Sequence, residues 1–391
     1  MKKERLLFIC SKKPFPVQDG GAIRTMQMYR MLCEYYEVDM IFSCNDKSTY
    51  TEIPDKKLGI HSSKGFFLPK WKSIVQAIYS VFSRKPMQCA YFYNSDMHKY
   101  INDCIDNYKY VFCNNIRTAQ YVNNQTKCNK IIDFVDAISM NYIGAASKRK
   151  FPVNLVYKDE AKRLLNSEIR LCTEFDKTLI ISDVDAEYIY GRSKCSIKEI
   201  SVIPNSVEIP EESISQSDDN NIVFIGSMFY EPNIVAVTTF AKYIFPKIIE
   251  RKPNAKFFIV GNRPSDSVQR LAGDNIIVTG FVQDPKKYLK ISNVVVAPMY
   301  SGAGVQNKIL EAMSLGCCVV TTTIGAEGLG DIKNEKEIII EDNYSNMAES
   351  IINLLEDKDK RTNMGLAAKK YVSNQFSYNR VLQIFRKVII E

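Results

Sequence analysis

The chain predicts an α/β protein made of two doubly wound parallel-sheet domains. Three observations carry that expectation. Residues 294–329 form one strand–loop–helix–strand unit: a buried β-branched run, Val294-Val295-Val296-Ala297, closed by Pro298, then a small-residue loop at 301–304, a helix over 305–315 stopped by Gly316, and a second β-branched run at 319–323. The same alternation of short apolar strands with longer helices recurs on both sides of an acidic, Ser-rich break at 207–221. A length of 391 residues with 46% hydrophobic and 25% charged residues suits two ordinary globular domains rather than one.

Residues 5–10 read as the first buried strand. A loop follows at 11–19 with Pro14 and Pro16, then Gly20-Gly21 and a helix over 22–34 whose stripe is Ile23, Met26, Met28, Met31 and Leu32. The glycine pair has two readings, a tight turn needing positive φ or a ligand site behind a strand. Strands are expected at 38–43, 65–68, 110–113, 130–134, 177–181 and 201–203, and a long helix over 155–175. Residues 71–82 form an amphipathic helix with Trp71, Ile74, Val75, Ile78, Val81 and Phe82, bounded by Lys70, Lys72, Arg84 and Lys85. It is either a core helix with solvated ends or a membrane-surface contact. Asp136 follows the 130–134 strand, where an acid is either a helix N-cap or a ligand contact at the sheet's carboxyl edge.

The second half alternates more cleanly, with strands at 222–225, 256–260, 276–278 and 338–340 and a helix with Pro232 in its first turn. A glycine loop feeding a helix N-terminus is a ready anion site, because free backbone N–H groups and the helix dipole both face the loop. The helix at 305–315 carries Lys308 and Glu311 in its first two turns.

Several classes are excluded. No run approaches the roughly 18 apolar residues of a membrane span, and the first ten residues lack a signal-peptide core and cleavage site. The eleven cysteines are odd in number, include no C-x-x-C pair and fall in apolar patterns, which predicts reduced core thiols in a cytoplasmic protein. With His61 and His98 the only histidines, no zinc site is expected. The formal net charge of +8 is uneven. Residues 1–200 hold 31 Lys+Arg against 22 Asp+Glu, and residues 201–391 hold 21 against 22. The basic half is either an ordinary solvated surface or a match for an anionic membrane surface on the inner face of the cell membrane. Its basic residues are scattered and lack a nucleic-acid motif, so no nucleic-acid partner is expected.

The second half resembles the nucleotide-sugar-binding domain of retaining GT-B glycosyltransferases of the large sucrose-synthase and mannosyltransferase family, the group 1 glycosyl transferases. The residues that carry the resemblance are 224–228, Pro232-Asn233, 258–261, 279–282, Ala297-Pro298, 308–313 and 325–329. Residues 14–24 and 133–139 extend it over the first half, and the Gly-rich loop is similar to a subgroup associated with surface polysaccharides. The resemblance implies two Rossmann-like domains facing each other across a cleft. Residues 1–206 would be the acceptor-side domain, 207–221 the linker, 222–375 the nucleotide-sugar domain and 376–391 a helix crossing back. It implies a sugar donor that is a nucleoside diphosphate sugar, a glycan or lipid-linked glycan acceptor, and no metal or other cofactor. The alternatives are a GT-B epimerase or hydrolase, and a non-catalytic binding or assembly subunit.

Carried over residue by residue, the resemblance gives Glu311 the ribose hydroxyls, and Lys308 with the backbone of Gly304 and Val305 the diphosphate. Gly226, Ser227, Asn233 and Val282 line the nucleotide, Gly20, Gly21 and Arg24 reach the donor from the first half, and Asp136 touches the donor sugar or orients the acceptor. Three positions depart from the family pattern. Ala303 stands where the family has the first Glu of its Glu-seven-residue-Glu motif. Ser227 and Pro232 stand where it has Arg and Lys, leaving Lys308, backbone N–H groups and Arg24 or Arg263 to neutralise a diphosphate. Asp136 stands where many members have His.

Overall fold

The computed structural model describes residues 3–17, 19–46, 60, 62–123, 127–194, 196–211, 219–302 and 304–391. The chain divides into two units, one of Met1–Pro204 with Ile384–Glu391, the other of Asn205–Gln383.

The first unit holds a seven-stranded sheet: β1 (Arg5–Cys10), β2 (Glu37–Cys44), β3 (Ser62–Phe67), β4 (Tyr110–Asn114), β5 (Asn129–Asp133), β6 (Lys177–Ile180) and β7 (Ile200–Val202). Their order is β3-β2-β1-β4-β5-β6-β7 and every pairing is parallel. The helices between them are α1 (Gly20–Tyr35), α2 (Lys70–Ser80), α3 (Met87–Tyr91), α4 (Ser95–Cys104), α5 (Ile138–Ser147), α6 (Val153–Glu174) and α7 (Asp183–Tyr190). Strands buried on both faces explain why β1 and β4 read as unbroken apolar runs rather than alternating ones. Their Leu7, Ile9, Val111 and Cys113 pack with Leu164, Leu171 and Phe175 of the α6 region.

The second unit repeats the plan with six strands: β8 (Asn221–Ile225), β9 (Lys256–Val260), β10 (Ile276–Gly280), β11 (Val294–Ala297), β12 (Val319–Thr321) and β13 (Ile339–Ile340), in parallel order β10-β9-β8-β11-β12-β13. Its helices are α8 (Glu231–Thr239), α9 (Phe245–Arg251), α10 (Asp266–Gln269), α11 (Lys286–Lys290), α12 (Asn307–Ser314), α13 (Thr323–Ala326), α14 (Tyr344–Glu356) and α15 (Lys358–Phe376), and the last helix, α16 (Tyr378–Ile389), begins in this unit and counts with the first from Ile384 on. Each sheet runs outward in both directions from its first strand. The strand order therefore reverses between β1 and β4, and again between β8 and β11, which is where open α/β sheets leave a crevice at their carboxyl edge.

One ion pair anchors the first unit. Arg24, wholly buried in α1, donates from Nε and Nη2 to the two carboxylate oxygens of Asp133 at 2.9 Å each, and from Nη1 to the Ile203 carbonyl at 2.5 Å. This fork ties α1 to the ends of β5 and β7. Removing one partner strands the other charge in a low-dielectric interior. Asp133→Ala is expected to cost about 3–5 kcal/mol of unfolding free energy, measured by urea denaturation; a loss below about 1 kcal/mol would show that the guanidinium reaches water instead.

Candidate functional site

The second unit's reversal point brings two loops together, one after β8 and one after β11. In the first, Gly226 N donates to the Val260 carbonyl at 3.0 Å, Met228 N to the Asn262 carbonyl at 3.0 Å, and Ser227 Oγ to Asn262 Oδ1 at 2.7 Å. The loop thus lies flat on the end of β9. A Cβ on Gly261 would stand 1.7 Å from the Gly226 carbonyl oxygen, so only glycine allows this approach. In the second loop Gly304 takes φ +72°, and Val305 packs so close to Gly328 that a Cβ there would fall 2.7 Å from the Val305 nitrogen. The helix α12 starts at Asn307, two residues later than periodicity suggests, because Val305 is buried in this loop contact. Its N-cap, Gln306, makes no side-chain cap, and its first turn holds no acid.

Lys308 stands in that uncapped first turn. Its ammonium donates to Asn233 Oδ1 at 2.9 Å and to Gln306 Oε1 at 3.0 Å, and lies 5.5 Å from the centre of the Phe224 ring. These partners are neutral, so burial dominates and lowers the Lys308 pKa to about 8, with the Glu311 charge opposing. Asn233 also donates from Nδ2 to the Ser227 carbonyl at 3.0 Å, so one amide links the two loops. Glu311, one turn after Lys308, is pushed up by burial and drawn back by the charges of Lys286 on α11 and Lys308. Val282 lies on the β10–α11 connection that leads to Lys286. Gly226, Ser227, Asn233, Gly304, Val305, Lys308 and Glu311 therefore gather at one place. Ala303 lies outside the described residues.

The first unit's reversal point is chemically different. Here α1 begins at Gly20, so both glycines are exposed positions of its first turn rather than a preceding turn. Asp19 caps the helix, accepting from Ala22 N at 2.8 Å and pairing with Lys12 at 2.9 Å. Arg24 does not face a ligand, contrary to expectation, because the ion pair with Asp133 holds its guanidinium in the interior.

Asp136 is not a helix cap either. Its Oδ2 accepts from Asn141 Nδ2 at 2.9 Å, while the N-terminus of α5 is served from other elements. Ala137 N donates to Asp185 Oδ1 at 2.9 Å, Ser139 N donates to Glu168 Oε1 at 3.1 Å, and Ser139 Oγ donates to Glu168 Oε2. Burial, then the Asp185 charge, raise Asp136 to about 6, against the pull of Arg117. Burial, then Asp136 and Asp185, raise Glu168 to about 7 despite the Ser139 bonds. Val135, just before Asp136, sits at φ +71°, a strained setting for a β-branched residue. Sequence reasoning missed Glu168, Asp185, Arg117, Asn262 and Gln306. Glu168 and Asp185 lie on helices distant from Asp136 in sequence, and only the fold turns them toward it.

Residues 219–357, just over a third of the chain, match the family model described as glycosyl transferases group 1. The chain is 25% identical over 177 residues to an uncharacterized 44.6 kDa protein of the Klebsiella pneumoniae cps region, covering 43% of this chain and 45% of that one. It is 27% identical over 141 residues to the capsular polysaccharide biosynthesis glycosyltransferase CapM of Staphylococcus aureus, covering 34% and 37%. The matches thus span about half or less of those relatives' lengths. In fold, it is similar to sucrose-phosphate synthase of Thermosynechococcus elongatus, with a TM-score of 0.72 and 15% identity over 98% of this chain and 99% of that one. HepE of Anabaena, solved with UDP-glucose, matches with a TM-score of 0.65 and 12% identity over 98% of both chains.

The raised carboxylates set a pH signature. A group whose folded pKa lies above its unfolded value adds stability that is full below the unfolded pKa and lost as pH rises through the folded one. Stability should therefore fall between about pH 4 and pH 7 as the Asp136–Glu168–Asp185 cluster ionises. Glu168→Gln, which can still accept from Ser139 N and can donate to Ser139 Oγ in place of accepting from it, should flatten much of that slope in melting temperature against pH. An unchanged slope would place the titration elsewhere.

Proposed function

We propose that the chain is a glycosyltransferase that moves a sugar from a nucleoside diphosphate sugar to a hydroxyl of a glycan or lipid-linked glycan, with retention at the anomeric carbon. No metal or other cofactor takes part in this reading. The observation that carries it is the desolvated Lys308 ammonium in the uncapped first turn of α12, with Glu311 one turn on, at the second unit's strand-order reversal. A diphosphate supplies the full counter-charge that the neutral partners of Lys308 withhold, and backbone N–H groups beside Gly304 and Val305 add donors. The Glu311 carboxylate suits the paired hydroxyls of a ribose.

In the reaction the bond from the anomeric carbon to the diphosphate oxygen breaks, and a bond from that carbon to the acceptor oxygen forms. Charge accumulates on the departing diphosphate, where preorganised cations and N–H groups count most. Arg263, exposed one residue after the Asn262 that clamps the β8 loop, adds a second cation in place of those missing at Ser227 and Pro232. Asp136, ionised above about pH 6, is the first unit's acceptor for the hydroxyl proton or the group that orients that hydroxyl. The similarity to a capsular glycosyltransferase supports a polysaccharide product. The ten free cysteines among the described residues, eight of them buried, support a reducing, cytoplasmic setting.

A thermal-shift screen of nucleoside diphosphate sugars tests the reading, since a ligand that binds only the folded protein raises its melting temperature. UDP-sugars come first, given the HepE complex. At least one donor should stabilise the protein, and turnover should follow once an acceptor is added. Glu311→Ala should weaken donor binding roughly ten- to a hundred-fold, the value of hydrogen bonds to a charged group. Binding should also weaken as pH rises through about 8, where free Lys308 loses the proton that the diphosphate needs, and Lys308→Met should abolish that slope. If no donor binds, the enzyme reading fails. Binding without transfer points to an assembly subunit, and release of free sugar without acceptor points to a hydrolase.

A further inference from the structure

The helix α2 is packed with its polar side inward. Its buried residues are Ser73 and Ser80, whereas Trp71 is 67% exposed and Ile78, Tyr79 and the following Phe82 are 60%, 72% and 88% exposed. Burial of a large apolar side chain is normally worth about 1.5–3 kcal/mol, so a helix that leaves four of them in water leaves that stabilisation unused. Nor is the helix loosely attached. Arg163 of α6 donates from Nη1 to the carbonyls of Ser80 and Ser83 at 2.9 and 2.6 Å and from Nη2 to that of Val81 at 3.2 Å. Glu160 of α6 accepts from Met87 N at 2.8 Å and Gln88 N at 2.9 Å.

The same helix α6 continues the exposed apolar surface. Phe151, just before it, is 77% exposed, and Val153, Leu155 and Val156 in its first turn are also exposed. Val156 precedes Arg163 by seven residues, about 10 Å along a helix, so the two apolar sets lie on neighbouring elements of one unit. Both are framed by cations. Residues 69–95 contain Lys70, Lys72, Arg84 and Lys85, residues 137–158 contain Lys148, Arg149, Lys150 and Lys158, and neither stretch contains an acid. The next acid, Asp159, is paired with Arg163 at 2.7 Å.

We propose that this face of the first unit docks onto an anionic lipid bilayer, with Trp71, Ile78, Phe82 and Phe151 entering the headgroup region and the flanking lysines and arginines meeting lipid phosphates. An apolar face rimmed by cations is the pattern of interfacial membrane contacts, and Trp favours that depth. A second copy of the chain is the poorer occupant, because two such faces would bring eight cations against eight. Among the described residues no helix is long and apolar enough to cross a membrane. This inference goes beyond the transfer reaction and stands whichever donor is used.

Vesicle flotation tests it. The full chain should float with phosphatidylcholine vesicles containing phosphatidylglycerol, float far less with phosphatidylcholine alone, and be released by high salt. Arg84→Gln with Lys85→Gln should lower partitioning about five-fold for each charge removed, following the roughly 1 kcal/mol that each basic residue contributes near an anionic surface. Trp71→Ser with Phe82→Ser should lower it at least about ten-fold. Both double variants should keep the melting temperature and the donor-induced shift, which separates this outcome from failure of the glycosyltransferase reading. The proposal is overturned if the unaltered chain does not float on anionic vesicles, or if the double variants float as well as it does. It is also overturned if the chain is a dimer that Trp71→Ser with Phe82→Ser dissolves while vesicle binding is absent.

Discussion

The second unit is organised about a buried cation whose hydrogen-bonded side chains are neutral. Lys308 donates to two side-chain amides, Asn233 and Gln306, and sits beside an aromatic face, so it has lost water with the Glu311 charge offsetting only part of the loss. Such a group is costly, and its lowered pKa is the measure of that cost. The surrounding structure makes the arrangement possible. Gly261 lets the β8 loop lie against β9, Asn233 joins that loop to Lys308, and Gly328 lets the β11 loop settle under α12. Together these contacts hold the Lys308 ammonium and the two loops in fixed positions.

The first unit shares the strand order and spends its charges the other way. Its central helix α1 is already capped by Asp19, and the buried Arg24 of that helix is neutralised by Asp133. The cation near the reversal point is thus paired with a carboxylate in one unit and held by neutral amides in the other. What the first unit leaves short of compensation is negative, at Asp136, Glu168 and Asp185. The two sheets differ in the sign of the under-compensated charge they hold out of water.

Legibility of the sequence followed the range of the forces involved. The 294–329 unit could be read because fully buried parallel strands are continuous apolar runs and their loops need glycine. Helix starts were harder. The first helix is expected from residue 22 although Asp19 caps it at Gly20, and the 305–315 helix is expected from Val305 although Val305 belongs to the loop. Arg24 could not be placed, because its partner lies 109 residues away. The periodicity of α2 was plain, but a period tells that a helix has two sides and not which side meets the core.

The strained turn before Asp136 joins the buried Arg24–Asp133 pair to the Asp136 carboxylate. A β-branched residue at φ +71° costs on the order of 1–3 kcal/mol and persists only where its surroundings dictate it. Here they do so from both sides. The Val135 nitrogen donates to Asp133 Oδ1 at 3.1 Å, and the Val135 carbonyl accepts from Ile181 N at 3.0 Å. The same Asp133 oxygen receives Arg24 Nη2. The buried ion pair therefore does more than hold α1 to the sheet. It fixes the backbone twist that places Asp136 off the line of β5, beside Arg117 and ahead of an α5 terminus held by Glu168 and Asp185. Arg24 thus steadies the turn from Asp133 to Asp136 from the interior.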